Sequence, residues 1–234
     1  MDWIDLGNPH PRLEPAVYEP LTWPEGSNVV RPIDAPSSGI DRSFSEVARH
    51  RRSCREFAPV PPEAMLAKLG EVLSMSCGAQ AVGTDSLGFP LSRRPAPSAG
   101  AIHPIHLVVN APPQNEWFRF DPLTRLLVGV PTTVRAAEVR ATFDEVLPAA
   151  HAALLLFVAE PAMTATKYEN SASLVWRDAG VLQGIVSLAA EALGLGCTLL
   201  GITGDPWSAQ LLDQPGLHGV GAAFVGRPAA HTPS

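Results

Sequence analysis

The stretch from Arg93 to Asn110 reads Arg-Arg-Pro-Ala-Pro-Ser-Ala-Gly-Ala-Ile-His-Pro-Ile-His-Leu-Val-Val-Asn. Its first half consists largely of proline and small residues, and its second half is an apolar run rich in β-branched residues. This order predicts a tight turn that leads directly into a β-strand at 105–109. Because small residues leave the backbone accessible, the N–H groups of such a turn can approach a flat or anionic ligand. The same composition also suits an ordinary loop, so the rest of the chain must distinguish between the two.

The overall composition indicates a globular protein with a small substrate. The 234 residues are enough for one domain, or one domain with an extension, around a substantial core. The net charge is -6 and no Lys- and Arg-rich tract is present, so neither a nucleic acid nor an anionic membrane is expected as a partner. We therefore expect a small-molecule or peptide substrate.

The cysteines and the first residues bear on the cellular location. Cys54, Cys77 and Cys197 are odd in number and scattered, with no Cys-x-x-Cys pair, so neither a disulfide framework nor a zinc site is predicted. The sequence begins without a basic segment followed by an apolar run, and no apolar stretch reaches membrane-spanning length. These features predict reduced thiols, a cytoplasmic location, no membrane insertion and no metal site.

The distribution of proline divides the chain into two parts. Residues 1–42 are predicted to form an extended Pro-rich arm, because frequent proline prevents regular helix, and residues 43–234 are predicted to form the folded domain. The prolines of the arm are Pro9, Pro11, Pro15, Pro20, Pro24, Pro32 and Pro36. The aromatic residues Trp3, Tyr18 and Trp23 are expected to pin the arm to a surface, for example that of a partner subunit.

Helix and strand signals follow the arm in irregular order. Ser43-Phe44-Ser45-Glu46 has the spacing of a capping box and predicts a helix that begins regular structure at Ser43 and runs to about Arg52. A second helix is predicted to begin at Pro61-Pro62. The other predicted elements are strands at 105–109, 117–120, 126–128, 153–158, 197–200 and 220–225 and helices at 133–146 and 173–193. Without regular β-α-β alternation, these elements predict an α+β fold around a largely antiparallel sheet.

Charged residues gather at the end of the first predicted helix. Arg49, Arg51, Arg52 and Arg55 lie there within seven positions, together with Ser53. They either complement the negative end of the helix dipole or clamp a phosphate, since guanidinium groups form paired hydrogen bonds with phosphate oxygens.

Two further motifs are open to more than one interpretation. Lys167-Tyr168 precedes the long predicted helix and by itself suits a solvated loop. His103-x-x-His106 has the spacing of a ligand pair but no third ligand, so we interpret these histidines as structural or active-site polar groups.

Taken in chain order, the Arg-rich segment, the turn at 97–100 and the Lys-Tyr pair followed by Arg177-Asp178-Ala179-Gly180 resemble the flavin-dependent nitroreductase superfamily. Within it they resemble the azoline-oxidising branch, the SagB-type dehydrogenases. The resemblance implies a nitroreductase-like FMN-binding domain over residues 43–234, with a mainly antiparallel sheet flanked by helices. It also implies FMN as the cofactor and a homodimer with the flavins at the subunit interface.

The resemblance assigns the residues that would hold FMN. Arg51, Ser53 and Arg55, with Arg52 beside them, would bind the phosphate and the ribityl chain. The turn that would flank the flavin ring consists of Pro97, Ser98, Ala99 and Gly100. The backbone near Leu200 and Gly201 would face flavin N5, and Arg227 would be a second phosphate contact.

The same resemblance assigns a catalytic pair, because the azoline-oxidising branch uses a Lys-Tyr dyad that precedes the long helix. Oxidising a thiazoline or oxazoline to an azole removes a hydride and a proton from adjacent atoms, so a base must accompany the flavin. Tyr168 would be this base, and Lys167 would stabilise the negative charge that develops. Glu169-Asn170-Ser171 stands where the branch commonly has Gly-Glu-Arg, which leaves His103 as an alternative base.

We therefore expect an FMN-dependent oxidase that converts an azoline in a peptide or carrier-bound natural-product intermediate to the azole. Other biosynthetic enzymes of the same pathway are its expected partners. One alternative is an NAD(P)H-dependent reductase of nitroaromatics or quinones. Another is a non-catalytic partner subunit that presents a substrate peptide.

Overall fold

A central antiparallel sheet organises the described part of the chain, which in this computed structural model comprises residues 5–19, 21–23, 29–30, 42–85 and 89–230. Within these residues the strands are β1 (His10–Pro11), β2 (Val29–Val30), β3 (Phe57–Ala58), β4 (Ala81–Thr84), β5 (Pro90–Arg93), β6 (Ile105–Asn110), β7 (Trp117–Asp121), β8 (Leu126–Val130), β9 (Ala153–Ala159), β10 (Tyr168–Glu169), β11 (Gly196–Leu200) and β12 (His218–Pro228). The helices are α1 (Phe44–His50), α2 (Pro62–Cys77), α3 (Ala136–Asp144), α4 (Pro161–Lys167), α5 (Ala172–Ala192) and α6 (Trp207–Leu212), with a short 3-10 helix at Ala99–Ala101. The order of the central sheet is β11-β12-β9-β6-β7-β8-β2, with β3 paired to β12, while β1-β10 and β4-β5 form separate ribbons.

Strand β9 lies in the middle of the sheet because its whole sequence is apolar. Every residue of Ala153–Ala159 is buried, and the strand pairs antiparallel with β6 on one side and β12 on the other. One face of the sheet packs against α2 and α5, and the opposite face packs against α3 and α6. Both faces of β9 are therefore covered, as a continuous apolar strand requires. The predicted α+β fold, with a mainly antiparallel sheet flanked by helices, is confirmed.

The predicted elements are confirmed with few changes. The Ser43 side chain accepts a hydrogen bond from the Glu46 N–H, and the Glu46 side chain accepts one from the Ser43 N–H, which completes the predicted capping box of α1. The helix predicted at 133–146 is shorter, and α4, α6 and the β4-β5 ribbon were not predicted. The interpretation of Lys167-Tyr168 as part of a solvated loop is wrong, because Lys167 ends α4 and Tyr168 begins β10.

The described residues of the arm lie against the chain's own domain. Strand β1 pairs with β10, which corrects the expectation that regular structure begins at Ser43. The Tyr18 hydroxyl donates a hydrogen bond to the Glu160 carboxylate, and the Trp23 ring meets the His106 ring edge-on at 4.7 Å between centroids. Burial, reinforced by Glu160, raises the pKa of Tyr18 above its usual value. Trp3 lies outside the described residues.

No helix in the described ranges is long and apolar enough to cross a membrane. The thiols of Cys54, Cys77 and Cys197 are free, and the last two are buried.

Candidate functional site

The Arg-rich segment after α1 is held beside the first residues of β11. The Cys54 N–H donates to the Cys197 carbonyl at 3.2 Å, and the Thr198 hydroxyl donates to the Cys54 carbonyl. Gly196 permits this approach, since a Cβ at that position would lie 2.5 Å from Cys54 Cβ. The backbone contacts fix the segment in an extended course on which Arg51, Ser53 and Arg55 are all exposed.

These residues line a groove of about 720 Å³ that also includes Arg52, Glu191 and Gly194–Gly196. Within the described chain, the side chains of Arg51, Arg52 and Arg55 form no hydrogen bond or ion pair, whereas Glu191 is paired with Arg42 at 2.9 Å. Guanidinium groups without protein partners concentrate positive charge in the groove. This donor set fits a phosphate monoester, which takes several charge-assisted hydrogen bonds from arginine.

The other predicted contacts near this groove differ in accessibility. Leu200 at the end of β11 is buried, but Gly201 is exposed and a Cβ there would meet nothing within 4 Å, so its backbone is open to a ligand. Arg227 donates to the Pro59 carbonyl at 2.9 Å and is not among the residues that line the groove. Its predicted role as a second phosphate contact stays a prediction, because the remaining N–H groups of this exposed guanidinium form no other hydrogen bond within the described chain.

The turn at 97–100 is held by α5 through Asp178. The Ser98 hydroxyl donates to Asp178 Oδ2 at 2.5 Å, and the Ala99 N–H lies 3.2 Å from both carboxylate oxygens. Burial raises the pKa of Asp178 above its usual range, although these hydrogen bonds act in the opposite direction. The Ser98 oxygen in turn accepts from the His103 N–H at 2.9 Å. A network of side chains therefore defines the turn before any ligand binds.

Asp178 was not predicted as a site residue. The signal was present, because a carboxylate on the buried stripe of an otherwise apolar helix requires hydrogen-bond partners from elsewhere in the chain. The sequence could not show that the partner is the turn eighty residues earlier.

The backbone of this turn is strained. Gly100, Ala101 and His103 have φ values of 59°, 55° and 55°, in the left-handed region that non-glycine residues seldom occupy. Such conformations persist where the surroundings over-determine them, and they cluster at functional sites.

Tyr168 lies directly against this turn. A Cβ added to Gly100 would lie 3.0 Å from the Tyr168 hydroxyl oxygen, so glycine leaves room for the phenol. The arm fixes the backbone here, since Pro11 is the β-ladder partner of Tyr168 and the Arg12 N–H donates to the Lys167 carbonyl at 2.8 Å. The structure therefore brings the predicted base and the predicted flavin-flanking turn together.

Lys167 points to different partners. Its ammonium forms an ion pair with Asp85 and lies 4.7 Å from the centroid of the Phe89 ring. In the described chain, no hydrogen bond joins the Lys167 ammonium to the Tyr168 hydroxyl. The two side chains of the predicted dyad are thus held separately, Lys167 by a carboxylate and Tyr168 by the turn.

The two histidines are buried polar groups. His103 Nε2 lies 2.8 Å from the Ser92 carbonyl oxygen, so this nitrogen carries the proton, and burial together with the Arg94 charge lowers the pKa of His103 to about 4. A base with so low a pKa is poorly matched to proton abstraction at neutral pH. His106 Nε2 lies 2.8 Å from Glu160. Across the described ranges, no group of three His, Cys, Asp or Glu side chains is arranged to hold a metal ion.

The groove and the turn lie toward opposite ends of α5. Asp178 holds the turn, Glu191 lines the groove, and the helical rise between them is about 20 Å. None of the residues 97–100 lines the groove. The predicted phosphate contacts and the predicted ring contacts therefore form two separate patches on one chain.

The comparisons with known proteins agree with this architecture. The model of the Nitroreductase family matches residues 48–227, and no curated protein matches the chain. A protein from Ralstonia eutropha JMP134 named as a nitroreductase is 24% identical, with a TM-score of 0.64 over 93% of this chain and 99% of that one. The E. coli microcin synthetase McbBCD complex with truncated pro-MccB17 bound contains a chain that is 18% identical, with a TM-score of 0.61 over 84% of this chain and 77% of that one.

A third solved structure contains the cofactor. A Desulfovibrio desulfuricans protein named as a nitroreductase, in complex with FMN, is 20% identical, with a TM-score of 0.51 over 83% of this chain and 91% of that one. These similarities confirm the predicted nitroreductase-like fold, and proteins of this family use FMN. Because the family model covers most of the sequence, the chain belongs to the nitroreductase family.

Proposed function

We propose that this protein is an FMN-dependent oxidase of the azoline-oxidising kind, acting on a thiazoline or oxazoline in a peptide or carrier-bound intermediate. One observation carries the proposal: the Tyr168 hydroxyl lies against Gly100, in the turn assigned to the flavin ring. A phenol at this position is within reach of a substrate stacked on the flavin. A simple reductase has no need of a base there.

The proposed cofactor contacts are those of the resemblance. Arg51, Ser53 and Arg55, with Arg52 beside them, would hold the phosphate in the cationic groove. The turn from Pro97 to Gly100 and the backbone at Leu200 and Gly201 would contact the ring. When bound, FMN supplies a two-electron acceptor for a hydride.

The chain's own residues supply the acid-base chemistry. The azoline ring loses a hydride and a proton from adjacent atoms, two electrons in all, and gains a double bond. Tyr168, as its phenolate, would take the proton on the phenolic oxygen. O₂ would later receive the two electrons and two protons that the substrate lost and become hydrogen peroxide. Lys167 lies one residue away, and Asp85 holds its ammonium at the edge of this site, so its proposed role in stabilising the developing charge is tested separately from that of Tyr168.

A homodimer reconciles the two separate patches. In a twofold dimer the groove of one subunit faces the turn of its partner, so that both contribute to one flavin site. The exposed apolar side chains of α5 and β11 support such an interface, because Trp176, Val181 and Leu199 are 48%, 40% and 40% exposed. The structural similarity to a chain of the McbBCD complex, which holds truncated pro-MccB17, motivates a peptide substrate and accompanying biosynthetic enzymes.

The first experiment concerns cofactor and substrate. Purified protein should be yellow and should release FMN on denaturation, and Arg51→Ala or Arg55→Ala should weaken FMN binding by about 1.5–3 kcal/mol per lost charged hydrogen bond. Under anaerobic conditions a thiazoline peptide should reduce the flavin and NADPH should do so poorly. The reverse order of reductants would identify an NAD(P)H-dependent nitro or quinone reductase. Protein that stays colourless after addition of FMN would indicate a non-catalytic partner subunit.

A second experiment tests the dyad and the shared site together. Tyr168→Phe and Lys167→Ala should keep the flavin and slow its reduction by roughly 10²–10⁴-fold, the range of general-base catalysis. Dimers made from one Arg51→Ala/Arg55→Ala subunit and one Tyr168→Phe subunit should regain activity in one of their two sites. No recovery in these mixed dimers would place each flavin site within one chain.

A further inference from the structure

A second cavity, of about 380 Å³, lies where the ladder between β6 and β7 stops. The two strands pair only at Val108–Arg119 and Val109–Phe118, although β6 starts at Ile105 and β7 continues to Asp121, all within the described residues. The ends of β6 and β7 that do not pair with each other, 105–107 and 120–121, line the cavity together with Arg119. The strands diverge there, and the space between them is of the size that small ligands occupy.

The walls of this cavity are mostly apolar. Trp23 of the arm lines one part, and the rest is lined mainly by residues of the β4-β5 ribbon, the end of α2, β6 and β7. The apolar side chains of the lining include Trp23, Cys77, Ile105, Leu107 and Phe120. No residue of the proposed flavin site lines the cavity, which therefore does not depend on the proposed function.

Two guanidinium groups face this apolar space. Arg94 Nε donates to the Ser92 hydroxyl at 2.9 Å, and Arg119 lies over the Trp23 ring at 4.7 Å from its centroid. Neither forms an ion pair with a carboxylate of the described chain. Burial lowers the pKa of both arginines, and the nearby charge of Asp121, which acts in the opposite direction on each, offsets this only in part.

The other titratable groups neutralise this charge only in part, through Asp121. Asp121 is the carboxylate that lines the cavity, and its Oδ1 accepts the Leu123 N–H at 2.9 Å. Glu160 is engaged by Tyr18 and His106. Burial lowers the pKa of His103 to about 4, so this imidazole is neutral at pH 7. The cavity lining thus carries two half-buried guanidinium groups and one half-buried carboxylate.

We propose that this cavity binds a small carboxylate with a flat apolar body. Arg94 and Arg119 hold the carboxylate, and the aromatic and aliphatic walls hold the ring. The ligand supplies a second counter-charge beside Asp121, and guanidinium groups favour carboxylates because both partners are planar and form paired hydrogen bonds. An aromatic ring on the ligand packs between Trp23, Leu107 and Phe120.

Isothermal titration of the full chain with benzoate and benzamide tests this proposal. The two probes have nearly the same shape and differ in charge, so benzoate should bind at least tenfold more tightly. Arg94→Met and Arg119→Met should each weaken benzoate binding by tenfold or more. Arg93→Met is the matched control, since Arg93 adjoins Arg94 but is exposed, bonds to Gln80 and does not line the cavity.

Equal affinity for the two probes, or no binding of benzoate at millimolar concentration, would overturn the proposal. So would an unchanged benzoate affinity in Arg94→Met. The probe comparison uses the wild-type protein, which keeps the proposal testable if either variant fails to fold. Performing it with and without FMN separates this site from the flavin site, because benzoate should bind to both forms equally.

Discussion

Replacing Gly100 by alanine tests whether Tyr168 must lie against the turn. The added Cβ would lie 3.0 Å from the Tyr168 hydroxyl oxygen, 3.4 Å from Tyr168 Cε2 and 3.5 Å from Ile102 Cδ1. The first separation is tighter than an ordinary van der Waals contact, whereas the other two are acceptable. The phenol must therefore move by a few tenths of an ångström, while the rest of the turn keeps its place.

The expected loss of stability is small. An alanine at φ 59° costs about 1–2 kcal/mol relative to its preferred conformations. Because alanine leaves the unfolded chain with less conformational entropy than glycine does, the same substitution also stabilises the folded state by about 0.4–1 kcal/mol. The net change in the free energy of unfolding is about 1 kcal/mol, which lowers Tm by about 2–4 °C in a domain of this size.

The expected loss of activity is larger, because proton transfer depends on a well-placed base. Anaerobic stopped-flow reduction of the flavin by a thiazoline peptide should slow by roughly tenfold or more, since misplacement by 1 Å costs about 10²-fold. Gly7→Ala is the matched control: Gly7 has φ 72°, and its nearest neighbour to an added Cβ is Asn170 at 3.5 Å. It should lose similar stability and keep its rate. A Gly100→Ala variant that loses stability like Gly7→Ala but reduces its flavin at the wild-type rate would refute the placement of Tyr168 as the base.

Three other perturbations follow from the same contacts. Asp178→Asn removes the charge that accepts from Ser98 and Ala99, so urea unfolding should show a loss of about 1–2 kcal/mol, and an unchanged midpoint would contradict this role. The pKa of His103 is about 4 in the folded state against 6.5 for an unperturbed histidine, so the unfolded state binds the proton first. The contribution of neutral His103 to the free energy of unfolding is complete above pH 6.5 and is lost as pH falls to about 4. In His103→Asn the slope of the free energy of unfolding against pH in this range should decrease by the equivalent of up to one proton. Equal slopes in the variant and the wild type would show that His103 is not buried in its neutral form. Tyr18→Phe removes a hydrogen-bond donor from the buried Glu160 and should lower the free energy of unfolding by about 1–3 kcal/mol. Hydrogen exchange at the Arg12 and Ala16 amides should accelerate, and unchanged exchange would show that other contacts hold the arm.

Local sequence patterns predicted the elements whose stability is local or whose burial is uniform. The capping box at Ser43 and Glu46 forms within one turn of α1 and needs no distant partner. The run at Ala153–Ala159 is apolar throughout, so its position at the centre of the sheet follows from composition alone. The same reasoning applies to α5, whose length and apolar stripe leave no other assignment.

The missed features depend on partners far away in the sequence. The β1-β10 pairing joins the arm to residues 168–169, and neither strand has enough residues to show a period. Helix α4 is seven residues long and includes three β-branched or proline positions, so its helix propensity is weak. The carboxylates of Asp85 and Asp178 acquire their roles only when folding brings them to Lys167 and Ser98. No local rule selects these two from the other acidic residues.

The strained turn and the predicted base are held by different parts of the molecule. Asp178 on α5 fixes the turn from one side, and the ladder between β1 and β10 fixes Tyr168 from the other. The cationic groove depends on neither Asp178 nor the ladder between β1 and β10, because the segment after α1 and the start of β11 form it. The left-handed backbone at Ala101 and His103 is strained and depends on the contacts that hold the turn, among them the hydrogen bond from the His103 N–H to Ser98. The arm therefore supports the position of Tyr168 and not the contacts to the cofactor phosphate. Deleting the arm should slow the reduction of the flavin by substrate but leave the affinity for FMN unchanged.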